Sequence, residues 1–265
     1  MIQTLSRTLT ALLVFIATAN LALADEKNQE PRRFYATVGT GVDFNRGDFG
    51  EDITTNSASI PFSAKLEWEP VTLRVSVPLL YIEGSDQISG DGTEGSDADE
   101  AIVAAKSSRF GVGDIVTSLT YSYYPDRYSS LPIIDLIGQI RIPTSQPGNL
   151  GSRGTDLTFG TELAKTFGLF SIFGGASYRI KTAQDLDNIW LASGGASIKI
   201  VKWLSVGAAY DFRQASTPRA TDSHEVSPYV SIRLSEHLRL TPYGLIGLSN
   251  SAPDWGLGTT VSYQF

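Results

Sequence analysis

Cysteine is absent from this chain, which excludes a disulfide framework, a thiolate metal site, a cysteine nucleophile and a lipid-modified cysteine behind a leader. Histidine is scarce: His224 and His237 are the two imidazoles, so base catalysis and metal ligation have few places to sit. Cations are outnumbered, with 21 Lys and Arg against 28 Asp and Glu and a net charge of -7. A nucleic-acid binder needs the reverse balance to neutralise phosphates. Long apolar runs are also missing, since nothing between Asp25 and Phe265 approaches the roughly 20 consecutive apolar residues of a spanning helix.

One apolar run does stand at the start. Arg7 precedes a largely apolar stretch from Ala11 to Ala19, and Ala22-Leu23-Ala24 places small residues at the positions a signal peptidase reads. Residues 1–24 are therefore expected to be a signal peptide, residues 25–32 an N-terminal periplasmic segment, and residues 33–265 a single folded domain. Proline and glycine are scattered and do not collect in a linker, and short strand-like stretches recur at fairly even spacing.

The period of those stretches is two. Trp255, Leu257, Thr259, Val261, Tyr263 and Phe265 alternate with Gly256, Gly258, Thr260, Ser262 and Gln264. Leu204, Val206, Ala208, Tyr210 and Phe212 alternate with Ser205, Gly207, Asp211 and Arg213 in the same way, as do Ile60, Phe62, Ala64, Leu66 and Trp68 with Ser63, Lys65 and Glu67. A helix would scatter such residues around its circumference, whereas a strand sends them to opposite faces. The alternation places strands near 33–44, 58–69, 71–83, 109–124, 132–142, 155–166, 169–182, 188–200, 203–214, 224–234, 237–249 and 254–265. That is about twelve, an even number. Long connections such as 45–57, 84–108 and 143–154 mostly alternate with tight ones at 167–168, 201–202 and 235–236. A soluble sandwich also alternates along its strands, but unequal loops at two rims are the habit of an outer-membrane barrel. The expected fold is all-β, a transmembrane antiparallel up-and-down β-barrel, in the outer membrane of a Gram-negative bacterium.

The last strand carries a second signal. Val261, Tyr263 and the terminal aromatic Phe265 resemble the sorting signature of bacterial outer-membrane barrels, and they are the expected contact for the barrel assembly machinery. Phe34, Trp68, Tyr81, Tyr123, Trp190, Trp203 and Trp255 lie near strand ends, where interfacial aromatic girdles form.

With the faces assigned, Lys65, Glu67, Arg74, Asp114, Asp135, Arg141, Asp156, Glu162, Arg179, Lys181, Lys199, Asp211, Arg213, Arg233 and Arg239 are expected to point away from lipid, into the lumen. A Lys or Arg facing the bilayer midplane costs about 2–4 kcal/mol, so one polar face on every strand implies a polar interior. Such an interior serves either as a narrow channel or as a plug of mutually paired ions, in which case the long loops would carry a binding, adhesion or structural role.

Arg109-Phe110-Gly111-Val112-Gly113-Asp114, Ile140-Arg141-Ile142-Pro143-Thr144, Leu150-Gly151-Ser152-Arg153-Gly154-Thr155-Asp156 and Lys165-Thr166-Phe167-Gly168 resemble motifs of the outer-membrane family named after the meta-cleavage pathway of phenol degradation. The resemblance covers most of the chain after the leader. Members are regarded as transporters, so it implies passage of small molecules, aromatic or hydrophobic ones among them.

Other chemistries find less support. Asp222-Ser223-His224 contains triad residue types, but neighbours in sequence do not usually converge on one point, and no enzymatic activity is expected. The acidic segment from Asp91 to Glu100 offers oxygen ligands without EF-hand spacing, and it reads as a solvated loop. No metal and no cofactor is expected; the expected partners are outer-membrane lipid and lipopolysaccharide, the assembly machinery and a small solute.

Overall fold

A computed structural model describes residues 34–50, 52–85, 106–125, 130–144, 150–152, 154–183, 186–218 and 220–265. The expected signal peptide, the segment 25–32 and the acidic run 91–100 lie outside the described residues. The described residues contain no helix.

Thirteen strands follow one another: β1 (Phe34–Gly47), β2 (Thr55–Trp68), β3 (Val71–Ser85), β4 (Lys106–Val112), β5 (Ile115–Tyr123), β6 (Ile133–Ile142), β7 (Asp156–Phe167), β8 (Phe170–Lys181), β9 (Ile189–Val201), β10 (Leu204–Arg213), β11 (Ser223–Arg233), β12 (Leu238–Gly247) and β13 (Trp255–Gln264). Sequential neighbours pair antiparallel, and β1 pairs with β13 from Thr37↔Gln264 to Arg46↔Trp255, so the sheet closes on itself. β4 and β5 share one position in the ring, because both pair with β3 and occupy its two halves. The fold is a closed antiparallel transmembrane barrel of twelve staves.

The expected single strand over 109–124 is thus a broken one. Pairing runs Leu79↔Val112 on one side of the break and Ser76↔Val116 on the other, a shift of one residue. Odd-numbered residues of β4 face inward, but even-numbered residues of β5 do, the signature of a β-bulge. Its cause lies across the ladder. Pro78 of β3 stands beside the break, opposite Pro61 of β2, and proline has no N–H to give. The Gly113 N–H donates to the Pro78 carbonyl at 2.8 Å, while Thr144 Oγ1 donates to the Gly113 carbonyl at 2.9 Å and accepts from the Ile115 N–H at 3.1 Å. Gly113 has to be glycine there, since a Cβ would stand 2.7 Å from Leu80 Cδ1. Every other stave begins and ends within three residues of its expected bounds.

Connections 69–70, 168–169, 202–203 and 234–237 make one rim of tight turns, joined by 124–132. Gly168 takes φ +62° in one of the two-residue turns, a conformation glycine adopts without steric cost. The opposite strand ends, which longer stretches of chain such as 48–54, 86–105 and 143–155 join, make the other rim.

The outer face is apolar. Val42, Leu73, Leu119, Leu163, Ile172 and Leu257 are among the exposed large hydrophobics, an arrangement that water would penalise and lipid rewards. Aromatics mark its edges, with Phe44 against Trp255 at 5.5 Å, Tyr178 against Trp190 at 5.0 Å and Tyr263 against Phe265 at 5.0 Å between ring centroids.

Ala208, midway along β10, faces outward between Pro228 and Ala196. Ala208→Arg is expected to destabilise the folded barrel in bilayers by about 2–4 kcal/mol. Ser193→Arg on the inner face, beside Asp211, is expected to change it much less; equilibrium unfolding in lipid vesicles compares the two.

Candidate functional site

Because each stave turns alternate residues inward, the interior is a lattice of side chains whose neighbours are set by register. Toward the long-loop rim the lattice is closed. Arg141 of β6 stands opposite Asp156 of β7, which stands opposite Lys181 of β8. The Arg141 guanidinium comes within 3.7 Å of Asp156 Oδ2. Asp114, at the break between β4 and β5, accepts the Ser152 N–H at 2.6 Å, and Arg179 Nε donates to Thr158 Oγ1 at 3.1 Å. All five charged groups are buried, Arg141 and Asp114 completely. Leu80, Ile82 and Leu150 pack beside them as a small apolar cluster. This side of the lumen is filled with mutually compensated charge.

Beside that knot the lattice opens. Inward residues of β6 to β11 surround a chamber of about 100 Å³. Ile137 and Leu191 supply apolar patches; Gln139, Thr158, Ser177, Ser193 and Ser223 supply hydroxyl or amide groups; Glu162, Asp211, Glu225, Arg179 and Arg213 supply charge. Carboxylates face carboxylates here, Asp211 opposite Glu225 and, one stave pair away, Asp135 opposite Glu162.

Two loop residues that sequence reasoning did not single out complete the chamber. Phe49 follows β1 with φ +56° and Gly50 follows it with φ +84°, the Gly50 N–H donating to Asp48 Oδ1 at 3.1 Å. A phenylalanine in this left-handed region costs about 1–3 kcal/mol. The turn brings its ring onto the chamber, where Pro253 of the last loop also lies. The 248–254 loop is held by Arg213, which donates to the Ser251 carbonyl at 3.3 Å, and by a 2.9 Å bond between the Ser251 and Thr221 hydroxyls. An aromatic before glycine in an otherwise polar connection was the available signal for Phe49.

Near the tight-turn rim the inward charges include Lys65, Glu67, Arg74, Lys199, Arg233 and Arg239, with Lys65 Nζ 2.9 Å from Glu67 Oε2. Val261, Tyr263 and Phe265 lie on the outer face of the last strand, where the Phe265 N–H donates to the Ala36 carbonyl at 2.9 Å.

Asp222, Ser223 and His224 diverge. Asp222 Oδ1 accepts the Ala215 N–H at 2.7 Å, Ser223 Oγ donates to Glu225 Oε1 at 3.0 Å on the inner face, and His224 Nδ1 bonds the Tyr210 hydroxyl at 2.6 Å on the outer face. His237 Nδ1 meets the Gln264 carbonyl at 2.8 Å at the tight-turn rim. Neither imidazole is within reach of the chamber's hydroxyls, and no cluster of three metal-ligating side chains occurs among the described residues.

Comparison with known proteins places this architecture. An outer membrane channel from Pseudomonas putida F1 superposes with a TM-score of 0.64 at 12% identity, over 91% of this chain and 98% of that one. The translocator domain of the autotransporter NalP from Neisseria meningitidis gives 0.49 at 10% identity over 98% of both chains, and the CymD monoaromatic hydrocarbon channel gives 0.45 at 10% identity over 89% of both. At such identities the first of these shows the fold alone. No curated protein sequence matches the chain. The model of the family described as "Putative MetA-pathway of phenol degradation" matches residues 34–265, every stave of the barrel, and the chain belongs to that family.

Proposed function

We propose that the protein is a channel of the Gram-negative outer membrane that passes small molecules, aromatic or hydrophobic ones among them, through its lumen. The observation that carries this reading is the chamber between β6 and β11, an internal space of about 100 Å³ lined by apolar patches, hydroxyls and charge together. Its apolar patches and the Phe49 ring suit a planar hydrophobic solute, and the family's link to phenol degradation favours the aromatic class. The tight-turn rim then faces the periplasm and the longer loops face outward toward lipopolysaccharide. The lumen acts by solvation and charge, with no covalent step: a ring of fixed charges favours counter-ions and opposes co-ions along the path.

Arg213 is the side chain through which this is most directly tested, because it lines the chamber and also ties down the loop that carries Pro253. In planar bilayers the purified barrel is expected to conduct. Arg213→Glu is expected to shift the reversal potential toward cations, with a smaller shift at high salt, where screening shortens the reach of each charge. Absence of any conductance or solute flux would instead favour a barrel plugged by the Arg141 knot, acting through its loops.

The exposed outer edge formed by Val261, Tyr263 and Phe265 is proposed as the surface read by the barrel assembly machinery. Deleting Phe265 is expected to lower the amount of heat-modifiable barrel in the outer membrane without blocking export, as measured on unboiled gels of membrane fractions.

A further inference from the structure

Most of the buried inner charges near the long-loop rim stand opposite a group of the other sign or a hydroxyl. Near the tight-turn rim the register does the opposite. Lys65 of β2 stands directly opposite Arg74 of β3, and Arg233 of β11 stands directly opposite Arg239 of β12. Directly opposed like charges destabilise a sheet, and an interior shielded from bulk water strengthens the repulsion. The two pairs also act on each other, since the charge of Arg239 reaches Lys65. They form one basic arc that crosses from β11 and β12 over β13 and β1 to β2 and β3. Glu67, which lies beside Lys65 and acts also on Arg74, and Glu162, which acts on Arg74, are carboxylates set against the arc.

Within the arc the wall has a recess of about 50 Å³, room for a carboxylate group. Lys65 and Arg74 line it together with the hydroxyls of Thr37, Ser63, Thr260 and Ser262, and no carboxylate is among its lining residues. Gly39 keeps its floor open, because a Cβ at that position would stand 2.9 Å from Ser63 Oγ. Ser63 Oγ donates to the Gly39 carbonyl at 3.5 Å; two cations and the hydroxyls of Thr37, Thr260 and Ser262 around one space are complementary to an oxyanion, since a guanidinium presents paired N–H groups to a carboxylate and an ammonium adds a point charge.

We propose that this recess is a carboxylate-binding site, and that the solutes handled by the lumen include small organic carboxylates. The identity of these solutes rests on the channel reading, whereas the site itself does not. A bound carboxylate relieves the repulsion between Lys65 and Arg74, so occupancy stabilises the folded barrel. The hydroxyls of Thr260 and Ser262 come from the closing strand β13, which places the site across the seam where the two ends of the sheet meet.

Benzoate, with benzyl alcohol as its uncharged counterpart, tests the site on the full mature chain refolded in detergent at constant ionic strength. Benzoate is expected to raise the temperature of the gel-shift transition saturably, and benzyl alcohol is not. Lys65→Gln combined with Arg74→Gln is expected to weaken the benzoate effect at least tenfold, and the heat-modifiable shift of the variant on unboiled gels checks that it folds. Ser262→Ala is expected to weaken it about threefold, within the range of a lost hydrogen bond to a charged group. Equal responses to benzoate and benzyl alcohol, or equal benzoate responses in the wild type and the double variant, would overturn the site. Planar-bilayer conductance separates the two readings. A conducting barrel without benzoate binding removes the carboxylate site and leaves the channel; benzoate binding lost in the double variant, in a barrel that conducts nothing, leaves the site and removes the channel.

Discussion

Every backbone amide and carbonyl of a chain lying in hydrocarbon must find its partner within the protein, and the remaining features of this barrel follow from that requirement. The pairing of β1 with β13 removes the last free edge. Once the ladder is closed, the two-residue period has only two places to send side chains, lipid and lumen. The break between β4 and β5 obeys the same rule. Pro78 withholds a donor, the chain inserts an extra residue at Gly113 and Asp114, and the Thr144 hydroxyl supplies the bonds the ladder cannot.

A closed polar interior must then settle its own charges. On one side it does so by neutralisation: Arg141, Asp156 and Lys181 alternate in sign across adjacent staves, and deleting one member of such a buried set costs about 3–5 kcal/mol by stranding its partner. Elsewhere it does not, since Asp211 faces Glu225 and Lys65 faces Arg74. Charges held against their own repulsion bear on a chamber and a recess, and the filled region holds the compensated ones. That division of the lumen is the physical basis for placing solute beside the first and not the second.

The sequence made the ring of strands legible because alternation is a local property. Trp255 to Phe265 or Leu204 to Arg213 display it without reference to any partner. The bulge was illegible because its cause, Pro78, sits on a different stave from its effect at Gly113. The chamber was illegible for a related reason. Register decides whether Asp135 meets Glu162 or a neutral residue, and a shift of two residues would keep every face while changing every pair. Phe49 depends on a turn conformation that phenylalanine adopts only when the fold around it imposes the geometry. The family motifs were legible for the converse reason: they cluster at turns and breaks such as Gly113-Asp114 and Phe167-Gly168, where the backbone restricts the residue types it accepts.

The central claim is that one face of each stave borders lipid and the other borders a hydrated lumen. The absence of native cysteine gives a clean background for testing it with single cysteines and a membrane-impermeant maleimide on barrels reconstituted in lipid vesicles. Ser177→Cys and Ser193→Cys line the chamber, whereas Ala196→Cys and Ala208→Cys are placed on exposed, outward-facing positions of neighbouring staves. The account predicts rapid labelling of the first two and protection of the others. Labelling that ignored this parity, or that reached Ala196→Cys and Ala208→Cys while sparing Ser177→Cys and Ser193→Cys, would contradict it.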